Sequence, residues 1–211
     1  MLRCLVHLAT DRGTVFHLSR GAVERKLRLF YCACCRLRWE LLLVTARQAV
    51  EVIERHADGR ASGQELRAAR RAAEAASRAS RPVWTGGYAP GAWDVMYTVA
   101  LAVAAGAVHA QLRPGYVRSG SPVSNADQGA LLHDIFENPF RPVEITGAWL
   151  TPTVRALARV IHADRVFHLM PVLGDALRDA GCTHAEVLEH CYGPGPHVAG
   201  CWLVDRLLGK E

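Results

Sequence analysis

The chain has 211 residues, half of them hydrophobic and 21% charged, with a formal net charge of +5. That length and composition suit one globular domain, or two small ones, and exclude wholesale disorder. The longest apolar run, 95–108, holds 14 residues, short of the roughly 20 that a membrane span needs.

Residues 1–11 carry Arg3, His7 and Asp11 around a short, interrupted apolar stretch, which does not read as an export signal. A cytoplasmic location without membrane contact is the expectation. Seven cysteines, Cys4, Cys32, Cys34, Cys35, Cys182, Cys191 and Cys201, give an odd count. Without an export signal they read as thiols, not as a disulfide framework. Charge is uneven: residues 1–82 hold 16 basic and 8 acidic side chains, and residues 83–211 hold 9 and 12. Nearly all the positive charge is arginine, which suits bidentate contacts to phosphate or carboxylate. A GC-rich genome produces the same bias.

The elements are predicted in chain order from apolar periodicity. A first helix spans 24–43 and is apolar on most sides, as a central buried helix is. A second runs from Ala46 to Ala57 and stops at Asp58-Gly59. Ser62 to Glu65 form a capping box that opens an alanine- and arginine-rich helix reaching Ser80. A turn-rich connector covers 85–91, an apolar helix 92–111, and a loop 113–124 that is a soft boundary between two halves.

A short helix follows over 127–137, with Leu131, Leu132, Ile135 and Phe136 inward. Asn138 to Pro142 read as extended, because each proline disfavours helix in the residue before it. Thr151-Pro152 caps and opens the next helix. The helix over 165–180 is kinked or broken at Pro171 and closes at Gly181. Thr183 to Glu186 look like a second capping box, and the helix they open reaches Cys191. A Gly-Pro-Gly-Pro turn, 193–196, leads into a final helix over 197–208. The only strand-like alternation is a weak one at 142–145.

Three motifs stand out: Cys32-Ala33-Cys34-Cys35-Arg36; Asp134 to Val143; and Gly193 to Val198 followed by Gly200-Cys201-Trp202. Together they resemble an uncharacterised family abundant in planctomycete genomes, over most of residues 20–211. The resemblance implies a selected domain and brings no assigned activity.

The sharpest chemical constellation is C-terminal. His197 and Cys201 stand four residues apart on a predicted helix, His190 and Cys191 end the preceding one, and Cys182 lies one short helix earlier. Zinc takes four such ligands in a tetrahedron. The plain alternative is core packing, since free cysteine is among the most buried residues. Cys32 and Cys35 share a helical face, and could supply half a soft-metal site or meet the C-terminal thiols. Their apolar neighbours favour burial instead.

Arg67, Arg70, Arg71, Arg78 and Arg81 form a basic helix that suits phosphate contacts. It lacks interleaved aromatics for stacking. The nucleophile-elbow, phosphate-loop and zinc-protease templates are all missing. Histidine–aspartate neighbours such as His133-Asp134 do not face each other on a helix. A dyad from distant segments, such as Cys35 with His197, stays open.

These readings converge on an all-α, single-domain bundle of about eight helices. Its centre is expected at 24–43 and 92–111, with the segment from Thr183 onward packed on the cysteine-rich helix. Three functions stay open. The first is a non-catalytic helical module that binds another protein. The second is a zinc-type site formed from Cys182, His190, Cys191, His197 and Cys201. The third is nucleic-acid binding through the arginine-rich helix.

Overall fold

The computed structural model describes residues 19–79, 123–138 and 140–210. They are all-α: eight α-helices and three short 3-10 turns, with no strand among the described residues. The expected helix at 92–111, the loop at 113–122, Cys4 and Arg81 lie outside them.

Helix α1, Arg20–Arg36, starts where Ser19 Oγ accepts the Ala22 N–H at 3.2 Å, an N-cap bond. Every residue from Leu29 to Cys35 is buried, as a helix apolar on all sides requires. It is shorter than the predicted 24–43. The chain breaks into a 3-10 turn at Trp39–Leu41. There the guanidinium groups of Arg36 and Arg47 lie 4.1 and 5.6 Å from the Trp39 ring centroid. That stacking, with Leu42 turning into the core, outweighs continuing the helix.

Helix α2, Val44–Ala57, begins two residues earlier than predicted and ends at Asp58, followed by Gly59 at φ +71°. Helix α3 is Gly63–Ala79. Its predicted capping box is present: Glu65 N–H donates to Ser62 Oγ at 3.2 Å, and Ser62 N–H to Glu65 Oε2 at 2.8 Å.

Helix α4, Asn125–Ile135, is capped by Ser124 and buries Leu131, Leu132, Asp134 and Ile135. The following segment is a turn, not the extended stretch expected. Asn138 Oδ1 accepts from Phe140 N–H at 3.0 Å, and Asn138 O accepts from Arg141 N–H at 3.1 Å. An asparagine side chain that mimics a backbone turn explains this.

Helix α5, Pro152–Asp164, has the predicted Thr151 cap and ends at Arg165 in the left-handed region, φ 57°. Helix α6 is Met170–Asp179 with Pro171 in its first turn. Proline is tolerated there because those N–H groups have no intrahelical partner, and the expected 165–180 helix is broken just before it, at the 3-10 turn Phe167–Leu169. Helix α7, Ala185–Tyr192, is capped by His184 without a side-chain bond. The box expected from Thr183 and Glu186 therefore does not form: the helix starts one residue too late for it. Helix α8 is only Trp202–Leu207, so the first five residues of the predicted 197–208 helix are not helical. The alternation at 142–145 is not a strand.

Apolar side chains gather in two clusters. The first joins α1, α2, α3 and α4 around Phe30, Val50, Ile53 and Leu131. The second joins Val143, Trp149, α5, α6, α7 and α8 around Ile161, Met170, Leu173 and Leu203. Polar ties run between them. Arg25 reaches Asp205 at 2.6 Å and Asp58 at 3.2 Å. Glu54 holds Arg36 at 2.7 Å and Arg165 at 2.5 Å. Arg206 reaches Glu137 at 3.0 Å.

The C-terminal segment packs on the middle of α1, at Lys26 and Leu29. A Cβ on Gly200 would stand 2.8 Å from Leu29 Cδ1. Cys32, Cys34 and Cys35 lie in the first cluster, and Cys182, Cys191 and Cys201 in the second. No helix among the described residues is long and apolar enough to cross a membrane.

Candidate metal centre

Four side chains from four places in the chain converge where the two clusters meet. Asp134 comes from the last turn of α4, and His190 from the last turn of α7. His197 follows the Gly-Pro turn, and Cys201 is the N-cap of α8. One ligand atom from each lies within 4.8 Å of all the others.

Asp134 is the hub. Its Oδ1 is 2.9 Å from His197 Nδ1 and 3.4 Å from His190 Nε2. Its Oδ2 accepts the Val198 N–H at 2.9 Å. His190 Nε2 is 3.1 Å from Cys201 Sγ. A tetrahedral zinc site with bonds of about 2.0–2.3 Å has ligand–ligand edges of about 3.3–3.8 Å, and the separations here, from 2.9 Å to within 4.8 Å, bracket that range. The two imidazole rings meet edge to face with centroids 4.8 Å apart.

Burial dominates the electrostatics. It pushes His190 down to about 3, helped by His197, so this ring is neutral. It raises the Asp134 carboxyl, although His197, Val198 and Cys201 oppose the shift through hydrogen bonds. It raises the Cys201 thiol well above its ordinary value, and Asp134 adds to the effect. The same geometry therefore serves two states. With the protons in place, the groups hydrogen-bond to one another. Metal binding would release the Cys201 proton and shift the His190 ring proton from Nε2 to Nδ1.

With Nδ1 engaged by Asp134, His197 Nε2 is buried and has no hydrogen-bond partner. Trp202 Nε1–H donates to His190 Nδ1 at 3.3 Å. That bond leaves the proton of the neutral ring on Nε2, facing Cys201.

Of the five ligands expected from the sequence, the structure brings together His190, His197 and Cys201. Cys182 and Cys191 lie elsewhere in the second cluster. The Cys191 Cβ lies 2.8 Å from where a Cβ on Gly174 would stand, and burial raises its thiol to about 12. Both serve as packing. His197 and Cys201 meet through a turn, not along a helix.

The fourth member, Asp134, escaped because its sequence neighbour, His133, does not face it. The usable signal was a carboxylate between Leu132 and Ile135 on a buried stripe. Burial acts on the cysteines of α1 in the same direction. Burial raises Cys32 and Cys35 far above the ordinary thiol value, and Cys34 to about 12. Cys35 and His197 do not pair, since His197 is engaged with Asp134. On α3, Arg67, Arg70 and Arg71 are exposed; the side chain of Arg78 is outside the described residues.

No family model, curated protein or solved structure matches this chain.

Proposed function

We propose that this is a metal-binding helical protein in which Asp134, His190, His197 and Cys201 close around one divalent ion of the zinc class. The observation that carries the reading is the convergence of four metal-type ligand atoms, all within 4.8 Å of one another, from two buried and two half-buried residues. Charge supports it. A carboxylate and a thiolate neutralise a dication, and an unneutralised charge is costly in such surroundings. The donor set of one sulfur, two nitrogens and one oxygen suits zinc better than calcium or magnesium.

Four protein ligands leave no open coordination position, which is the mark of a structural site. The ion would tie α4 of the first cluster to α7, α8 and the intervening turn of the second. The role is architectural and non-catalytic. It suits a module that presents a surface to another protein.

The test is elemental analysis of protein purified without an affinity metal, followed by chelator stripping and zinc titration. The expected result is one zinc per chain, lost on His197→Ala and Cys201→Ser and kept on Cys191→Ser. Absence of stoichiometric metal, with no uptake by the stripped protein, would refute the reading.

A further inference from the structure

Lys26 is the only described lysine on α1, and it is almost fully buried. Its ammonium is not spent on a surface ion pair. Nζ donates to Ile135 O at 2.8 Å and lies 3.5 Å from both Gly200 O and Asp205 Oδ2. Ile135 is the residue after Asp134. Gly200 is the residue before Cys201. One cation thus holds, by their main-chain carbonyls, the two segments that carry the anionic members of the cluster.

The neighbouring turn repeats the arrangement in steric form. Gly200 has φ +93°, and a Cβ there would stand 2.8 and 3.1 Å from Leu29 Cδ1 and Cβ. Only glycine combines that backbone conformation with so close an approach. Leu29 lies one helical turn after Lys26, so α1 presents a hydrogen-bonding anchor and an apolar seat to the same loop.

We infer that Lys26 is a positioning residue for the metal centre, setting the separation of Asp134 and Cys201 without itself being a ligand. The inference rests on the metal-binding reading above. Its physical basis is that groups outside the ligand shell fix ligand orientation, and removing them typically costs about 10- to 100-fold in metal affinity. A lysine suits the role because its three N–H donors can serve three acceptors at once. A methionine of similar length fills the same space and offers none.

The experiment compares cobalt(II) binding, followed by visible absorption, to the stripped full chain and to three variants. Lys26→Met is expected to bind 10- to 100-fold more weakly, with d–d bands weakened as the tetrahedral geometry relaxes. Glu54→Gln removes a buried ionic group remote from the cluster and controls for lost stability. It is expected to keep the wild-type affinity and bands. Gly200→Ala displaces the same carbonyl sterically. It should reproduce the Lys26→Met spectrum, and it carries the test if Lys26→Met does not fold.

Wild-type affinity and spectrum in both Lys26→Met and Gly200→Ala would overturn the positioning role while leaving the metal site standing. Equal losses in Glu54→Gln and Lys26→Met would overturn it too, by reducing the effect to stability. Failure of the wild-type chain to bind cobalt would overturn both the role and the site.

Discussion

Arg25 and Asp205, 180 residues apart, share a two-pronged ion pair, NH1 to Oδ2 at 2.6 Å and NH2 to Oδ1 at 3.2 Å. Asp205 is 1% exposed and Arg25 11%, so water screens the pair little. Arg25 Nε also donates to Ala57 O at 3.0 Å, which fixes the fork and joins α1, α2 and α8 at one guanidinium. Removing one partner strands the other as a buried charge. Arg25→Met is expected to cost about 3–5 kcal/mol in urea unfolding. A loss below about 1 kcal/mol would place the pair with ordinary surface bridges.

Asp58 predicts the acid limb of stability. Burial works to raise its carboxyl, but His162, Lys210 and Arg25 outweigh burial and hold it well below the usual carboxylate range. Arg60 also reaches it, at 3.0 Å. A carboxyl depressed in the folded state contributes stability that is fully present above its unfolded value, about 3.9. That contribution is lost as pH falls through the folded value. The gap in unfolding free energy between wild type and Asp58→Asn should shrink as pH falls below 4. A gap that widens in acid contradicts the sign.

The tautomer of His190 makes a prediction about zinc. The indole N–H of Trp202 points at Nδ1, but an imidazole that ligates through Nε2 carries its proton on Nδ1. Two donors then face each other. Trp202→Phe removes that conflict and keeps most of the packing. It should tighten zinc by about tenfold, equivalent to about 1.4 kcal/mol, in competition with a chromophoric chelator. Unchanged or weaker binding would show that the indole does not oppose the metal.

Gly174 marks a close contact between α6 and α7. A Cβ there would meet Cys191 Cβ at 2.8 Å and the Tyr192 ring at 3.0 and 3.1 Å. The ring is also held by Asp175 and Arg178. Gly174→Ala gains helix propensity but forces α6 and α7 apart. A net loss of about 1–3 kcal/mol is expected by thermal or urea unfolding. A stabilised variant would mean that the interface yields without strain.

The thiols provide the last check. Cys32, Cys34, Cys35, Cys182, Cys191 and Cys201 are all buried and unpaired. In a Cys4→Ser background, a disulfide reagent at pH 8 should label none of them quickly in the native state, and all six after denaturation. Rapid labelling of any one identifies a local opening.

Much of this fold is legible in the sequence, for local reasons. The Ser62–Glu65 box, the Thr151-Pro152 start and the Gly181 stop are short-range chemistry, and each appears where the residues predict. The all-round apolar character of α1 marks it as buried before any partner is known.

The misses have a common cause in tertiary contacts. α1 stops at Arg36 because Trp39 stacks between two arginines, one of them on α2. The turn from His197 to Cys201 is shaped by Leu29 and Asp134, neither of which is near it in the chain. The site was half legible. His190, His197 and Cys201 announce themselves by residue type, while Asp134 is separated from His197 by 63 positions. Only the packing of α4 brings it in.

That separation has a consequence for synthesis. Lys26 and Asp134 emerge from the ribosome well before Gly200 and Cys201. Until residue 197 and those after it arrive, each is a charge headed for the interior without its full set of partners. A nascent chain halted short of that point can collapse its first apolar cluster but cannot neutralise what the cluster buries. The late polar contacts thus complete the pairing of charges placed much earlier in the chain.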